Sequence, residues 1–566
     1  MAEQNTQVPQ AARLPQAARR WLPRWCPDPW SLGALVLAAL VAAPIIAVVW
    51  IAFHPAENIW PHLIATVLPR YLVNTGVLML GVGALTAAIG TGAAWLVTMY
   101  RFPLSRALDI ALLFPLAVPA YVGAYALVDF FDYSGVVQGG LRAVMGWSSA
   151  RDYWFPEVRS RAGAVVVLAL AFYPYVYLLA RAAFREQSGD FYEVARALGT
   201  GPWKLFWRVG LPLARPAIAV GVALALMETV ADYGTVAHFG VQTLTSGIFA
   251  VWLTGGNAGG AAQIAAVMLA VIVVLLALER ISRRRARFHR PTRSSRPVAP
   301  ARLGGARAWL AAGLCLLPFG AGFVLPVAVM ASHGLRNPGA WVSPGLAQAL
   351  ANTLLVGGSA AALTVAAAVF LVYGVRLAGR TLPRLVLPIT SLGYAAPGAV
   401  LAVGLLIPLA ALDHRLADAI LGLTGHDPGL LLTGTATAIV LAYVVRFFAI
   451  AQGTVDAAFG RISPNLPLAA RSLGRGAGGT LTAVYLPLMR GSVATALLMV
   501  FVDCVKELPA TLLLRPFDFN TLSTRVYEQA SLERLDDAAP AALLVMVVGL
   551  AAVALLALPR RAGRAD

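Results

Sequence analysis

Apolar runs long enough to cross a bilayer recur along almost the whole chain, and such runs have few ways to fold. In hydrocarbon every backbone N–H and C=O must be satisfied within the protein, which leaves helices and closed barrels as spanning structures. About 20 apolar residues is the length of a spanning helix and twice that of a spanning strand. Runs of this kind lie near 31–52, 72–99, 107–130, 162–184, 215–236 and 261–279, and again near 308–331, 350–375, 385–411, 431–452, 491–511 and 538–558. Of the 566 residues 59% are hydrophobic and only 12% charged, which excludes a water-soluble globule of ordinary surface. The sequence predicts an all-α integral membrane protein of about twelve transmembrane helices.

The formal charge of +18 does not point to nucleic acid, because the arginines cluster beside apolar runs and no aromatic-interleaved basic face occurs. Membrane topology accounts for it. The stretch "ERISRRRARFHRPTRSSRPVAPARLGGAR" has no apolar periodicity and reads as a basic linker over 280–307. Excess Lys and Arg mark cytoplasmic loops. That rule places inside the linker, the N-terminal segment 1–30, the tail 559–566 and the turns "YRFPLSR" and "RLAGRTLPR". The first apolar run is followed by no small-residue cleavage pattern and is read as an uncleaved span. Cys26, Cys315 and Cys504 lie far apart and signal neither a zinc site nor a disulfide framework.

The two sets of runs are repeats, 31–279 and 308–558. "ARALG" at 195–199 matches "ARSLG" at 470–474, and "LPLARP" at 211–216 matches "LPLMRG" at 486–491, both at an offset of 275 (474 − 199; 487 − 212). "NTGVLML" near 74 resembles "NTLLVGG" near 352, an offset of 278 (352 − 74). Six spans per half is an even number, so the repeats are parallel, related by an axis along the membrane normal.

The matched motifs lie in two polar loops, 185–215 and 454–490. In the first, helix-favouring residues over 190–199 end at a glycine, Gly199 and Gly201 permit a sharp turn, and Pro212 stands where a new helix would begin. A helix, turn and helix at the membrane surface reads either as a docking element or as an amphipathic segment on lipid headgroups.

The pattern of an acidic residue and alanines, then glycine, then Leu-Pro resembles the cytoplasmic signature of permease subunits in binding-protein-dependent ABC importers. The residues that carry it are Glu193, Ala195, Gly199, Leu211 and Pro212 in the first half, and Ala470, Gly474, Leu486 and Pro487 in the second, where Leu468 replaces the acidic residue. "VKELPATLLLRPFDFNTLSTRVYEQASLERLDDAA" at 505–539 and "METVADYGTVAHFG" near 230 are similar to fused permeases of the ferric-iron type. Fused permeases for thiamine, aminoethylphosphonate and related solutes share that form. The resemblance implies a type I importer permease in a bacterial inner membrane, with two copies of an ABC ATPase docked on the loops and an extracytoplasmic solute-binding protein opposite. ATP and Mg would be used by the ATPase, and this chain, a transport subunit and not an enzyme, would bind no cofactor. Accordingly no GxxxxGK[ST] loop occurs, and "GRGAGGT" at 474–480 lacks the lysine.

Two acidic pairs at i, i+4 follow the loops, Glu228 with Asp232 and Asp503 with Glu507, again offset by 275 (503 − 228; 507 − 232). Counted from Pro212 at ~1.5 Å per residue, Glu228 lies about 24 Å along its helix. Ionisable groups at such depth are costly and point to function. Carboxylates suit a hard cation, and these four would line a translocation path; with Lys506 adjacent, a salt-bridge or interface role is the alternative. His238 reads as an outer-loop residue, and no metal site is assigned. A proton-coupled secondary transporter of two six-helix halves is the competing class, and it has no use for two equivalent docking loops.

Overall fold

The computed structural model describes residues 29–55, 57–284, 299–377, 382–391, 393 and 396–557. Cys26, the tail 559–566 and most of the basic linker lie outside these residues. Described segments are helical apart from turns and one two-residue parallel pairing of β1 (Tyr100–Arg101) with β2 (Ala301–Arg302).

Eleven described helices are long and apolar enough to span, and a bent pair makes a twelfth. The first half contributes Pro29–Phe53, Leu68–Met99, the bent pair Ser105–Ala117 and Ala120–Met145, Arg161–Glu186, Pro202–Ala231 and Ala258–Ile281. The second contributes Gly305–Arg336, Pro344–Leu377, Gly398–Thr424, Ala436–Gly460, Ala477–Lys506 and Leu535–Leu555.

The third span of each half departs from the sequence expectation for one reason. In the first half it is bent by 97° between Ala117 and Ala120, where Val118 is extended (φ −93, ψ 119) and Pro119 follows (φ −58, ψ 140). A residue before proline is pushed out of the helical region, so the run 107–130 cannot be one straight helix. Pro397 (φ −58, ψ 150) begins the helix Gly398–Thr424 in the second half. The span expected at 385–411 is therefore split into Leu382–Thr390 and Gly398–Thr424. Pro119 and Pro397 are offset by 278 (397 − 119), the offset of the Asn-Thr motifs.

A second correction concerns Pro212, which, like its counterpart Pro487, does not begin a helix. The fifth spans start ten residues earlier and run through both prolines as continuous 30-residue helices, Pro202–Ala231 and Ala477–Lys506. Each has a wide turn just upstream, over Phe206–Gly210 and Leu481–Tyr485, where Leu211 N–H donates to Phe206 O and Leu486 N–H to Leu481 O. These i→i−5 bonds absorb the misfit that a proline without an N–H imposes.

The halves are interleaved. The first span of the first half packs on the second half: Trp30 stacks on Phe370 at 4.9 Å and meets Tyr373 edge-on at 5.1 Å. Reciprocally, Gly305–Arg336 of the second half lies against the first, where Phe323 meets Phe114 at 5.3 Å. Near its end the buried His333 stands between Asp536 (Nδ1···Oδ1 2.7 Å) and Asp129 of the first half (Nε2···Oδ2 3.0 Å). Outward faces carry exposed Leu, Val and Trp, as on Leu32, Leu35, Val36 and Trp50 of the first span, the composition of a surface that meets lipid.

Candidate functional site

A cavity of about 140 Å³ opens between the halves at the ends of the fifth spans. It is walled by the break in the first half's third span, by Phe172 and its counterpart Phe447, and by all four carboxylates singled out in the sequence, Glu228, Asp232, Asp503 and Glu507. Arg446 and Lys506 complete the charged lining.

The structure brings the four acids together but separates their roles. The helices end at Ala231 and Lys506, so Asp232 and Glu507 stand just past them in extended backbone, and neither pair shares one helix face as i, i+4 spacing suggests. Asp232 Oδ1 accepts from the N–H groups of Thr235 (3.0 Å) and Val236 (3.1 Å), and its Oδ2 from the Thr235 hydroxyl (3.0 Å). Glu507 Oε1 likewise accepts from Ala510 N–H at 2.9 Å. Each second acid thus caps the short helix that follows, which supplies acceptors for orphan N–H groups. Glu228 and Asp503 remain on the last turn of the spans, facing the cavity.

Charge compensation is one-sided. Arg446 Nη1 lies 3.5 Å from Glu507 Oε1, and Lys506 Nζ lies 3.5 Å from Asp503 Oδ1 and donates across the halves to Leu116 O at 3.3 Å. At the offset of 275, Arg446 corresponds to Ala171 and Lys506 to Ala231 (446 − 171; 506 − 231). The first half therefore contributes two carboxylates and no cation of its own to the lining, and the charges that face Glu228 are Arg446 and Lys506 of the second half. Four carboxylates face two cations, a formal excess of two negative charges. Arg446 was missed in the sequence, although aligning "AFYPY" at 171 with "RFFAI" at 446 exposes it as a lone arginine in an apolar run.

Beyond the cavity, at the end opposite the polar loops, the halves close on each other. The Tyr527 hydroxyl donates to the Tyr233 hydroxyl at 3.2 Å, and Tyr233 stacks on Phe249 at 3.6 Å. Further out a cavity of about 210 Å³ is lined by Tyr125, Arg159, His238, Tyr527 and Glu533, with Arg159 3.6 Å from Glu533 across the halves. His238 sits edge-on to Tyr125 at 4.6 Å, and burial, with Arg159 beside it, pushes its pKa down to about 4. It is a neutral vestibule residue. Neither tyrosine was visible as a partner in the sequence, because the two lie 294 residues apart.

At the other end the two polar loops carry helices Gly189–Ala197 and Asn465–Ser472. Each ends at a glycine with positive φ, Gly199 at +76° and Gly474 at +81°. Glu193 is exposed, Ala195 half-buried and Ala470 buried, while Pro212 and Pro487 are exposed beside half-buried Leu211 and Leu486. Leu198 and its counterpart Leu473 are 81% and 83% exposed at a polar end, so apolar surface stands uncovered at equivalent points of both loops. Aromatic contacts join the loops to the spans. Trp95 packs on Phe184, Tyr192 and Phe206 at 5.1–6.0 Å in the first half, and Tyr373 packs on Phe459 and Tyr485 at 5.6–6.0 Å in the second.

Residues 83–288 match the family described as binding-protein-dependent transport system inner membrane component. The chain is 27% identical over 489 residues to an Fe(3+)-transport system permease protein, FbpB 2, of Haemophilus influenzae, covering 84% of this chain and 87% of that protein. It is 31% identical over 203 residues to the molybdenum transport system permease protein ModB of Escherichia coli, covering 34% of this chain and 85% of ModB. A probable sulfate transport system permease protein, cysT, of Chlorokybus atmophyticus is 28% identical over 209 residues, 37% of this chain and 70% of that protein. The first relative is matched across both repeats, the other two over the length of one.

Proposed function

The chain belongs to the family of inner-membrane components of binding-protein-dependent transport systems, and from that premise we propose that it forms the translocation path of an ATP-driven importer for ferric iron. It is a multi-pass permease with both halves of the pore in one polypeptide, and the relatives it matches are transport subunits. The observation that carries the solute is the excess of four carboxylates over two cations in the cavity lining. Glu228 and Asp232 face the cavity with alanine at the two positions where the second half has Arg446 and Lys506, so the chamber attracts cations and repels oxyanions such as sulfate or molybdate. Carboxylate oxygens are temporary ligands suited to a hard trivalent ion. A chamber of 140 Å³ suits a small ion with part of its water better than a two-ring solute such as thiamine. The relative that spans both repeats is an Fe(3+) permease, which supports the same reading.

In this mechanism two copies of an ABC ATPase seat on the loop helices around Glu193, Gly199 and Gly474, where Leu198 and Leu473 stand exposed. ATP with Mg is consumed there, and this chain holds no cofactor. Loops and termini then face the cytoplasm, and the Tyr233–Tyr527 closure faces the binding protein. Closing of the ATPases pulls the aromatic-anchored loops together, the halves rock apart at the tyrosine pair, and the ion passes to the acidic wall.

Uptake of radioactive iron from its purified binding protein, normalised to inserted permease and run beside sulfate, molybdate and thiamine, tests this. Glu228→Gln should lower uptake most, Asp503→Asn less because Lys506 already compensates it, and the double variant more than either. Undiminished normalised uptake in the double variant sinks the acidic path, and preference for another solute in the panel sinks iron.

A further inference from the structure

The turn between the second and third spans of the first half is tied to the end of the inter-half linker. β1 and β2 run parallel, with Tyr100 opposite Ala301 and Arg101 opposite Arg302, and Leu303 N–H donates to Arg101 O at 2.9 Å. In-register neighbours on adjacent strands point to the same side about 5 Å apart. The pairing therefore sets two exposed guanidinium groups side by side. Arg106, exposed on the helix Ser105–Ala111, joins them around an open cavity of about 400 Å³ whose other walls are Phe102, Leu104 and Ser105.

Like charges directly opposite each other destabilise a strand pair, and no described carboxylate offsets them. Among the described residues no carboxylate lies within 4 Å of Arg101, Arg106 or Arg302. Asp109, three residues on from Arg106, is engaged by Arg181 at 3.0 Å and Arg185 at 2.7 Å. The linker cannot supply an acid, since 280–302 contains arginines and neither Asp nor Glu. The described residues and the linker thus leave the cradle open to an anion from outside the chain.

Position in the fold selects that anion. Met99 is the last residue of a membrane span, so the cavity sits at the bilayer boundary. On its rim Leu104 adopts φ +64°, a left-handed conformation unusual for leucine, and is 56% exposed beside the three cations. An apolar side chain held next to a cationic cradle at that depth matches the junction of headgroup and acyl chain. We propose that Arg101, Arg106 and Arg302 bind the phosphate of an anionic phospholipid, with Leu104 against its acyl chains. The headgroup then fastens the first half to the segment that leads into the second, at the end carrying the loop helices. This role is independent of the transported solute.

Native mass spectrometry of the purified full chain, with phosphatidylglycerol and phosphatidylcholine offered together, reads the site directly. Thermal unfolding in nanodiscs with and without phosphatidylglycerol reads its effect. Wild type should retain phosphatidylglycerol selectively and melt higher in its presence. Arg101→Gln with Arg302→Gln should lower retention about thirtyfold and abolish the shift, while Arg215→Gln with Arg490→Gln, an equal loss of charge outside the cradle, should leave both unchanged. If the double variant inserts poorly, Arg106→Gln and Arg302→Gln are read singly, since neither removes a backbone bond of the strand pair. Retention equal to wild type in the double variant, or in both single ones, overturns the site. Full stabilisation by inorganic phosphate in phosphatidylcholine nanodiscs overturns the lipid as its source.

Discussion

The ion pair of Arg446 with Glu507 sets the energetics of the second-half wall, and removing one partner has a calculable cost. The groups lie 3.5 Å apart with side chains 11% and 4% exposed. At an effective dielectric constant of about 20, two unit charges at that distance attract by about 5 kcal/mol. Mutational experience with one partner of a buried pair removed gives about 3–5 kcal/mol. Arg446→Met, which keeps the aliphatic bulk, should therefore destabilise the permease by about 3–5 kcal/mol, because Glu507 stays fixed by the Ala510 N–H and cannot move to water. Glu507→Gln should cost less, since its amide oxygen can still accept that bond. The double variant should fall within about 2 kcal/mol of wild type, because the desolvation of both charges is relieved together. Equilibrium unfolding in mixed micelles, followed by tryptophan fluorescence, measures all four corners of the cycle. Additive single costs would falsify the pairing, and a loss below about 1 kcal/mol for Arg446→Met would mean that water already screens the pair.

Three further outcomes are expected. Gly199→Val and Gly474→Val force a β-branched residue into positive φ where nothing crowds the site, so the strain is in the backbone alone, about 1–2 kcal/mol each; ATPase association and uptake should fall while insertion persists, and wild-type values for both would refute the need for glycine at these two turns. Tyr527→Phe removes a bond worth about 1 kcal/mol at the closure, so ATP hydrolysis without binding protein should rise about fivefold, and an unchanged basal rate counts against the tyrosine pair as a gate. His238 is held at about 4 against an ordinary 6.5, so on acidification the unfolded chain takes up the proton first. Stability should decline from pH 6.5 to 4 and then level off, and His238→Phe should flatten that window; the same decline in the variant removes His238 as its source.

Membrane spanning was readable because it is a local property: about 20 apolar residues that satisfy their own backbone form a span whatever they pack against. The repeat was readable because Gly199 with Gly474, and Glu228 with Asp503, keep one offset through the chain. The same offset pairs Ala171 with Arg446, so even the uneven charge of the cavity was present in the letters, unrecognised inside an apolar run. Hydropathy was silent on where helices stop within a run. Pro119 and Pro397 bend or split the third spans, and Asp232 and Glu507 fall one residue past their helices, turning two predicted helix-face acids into caps. Contacts between halves were beyond the sequence altogether. Trp30 on Phe370, Lys506 on Leu116, Tyr233 on Tyr527 and Arg101 beside Arg302 join segments 200 or more residues apart, and each pairing depends on how the two repeats interleave. Local hydrophobicity and spacing decide which segments enter the membrane; only packing between distant segments decides which charges meet there.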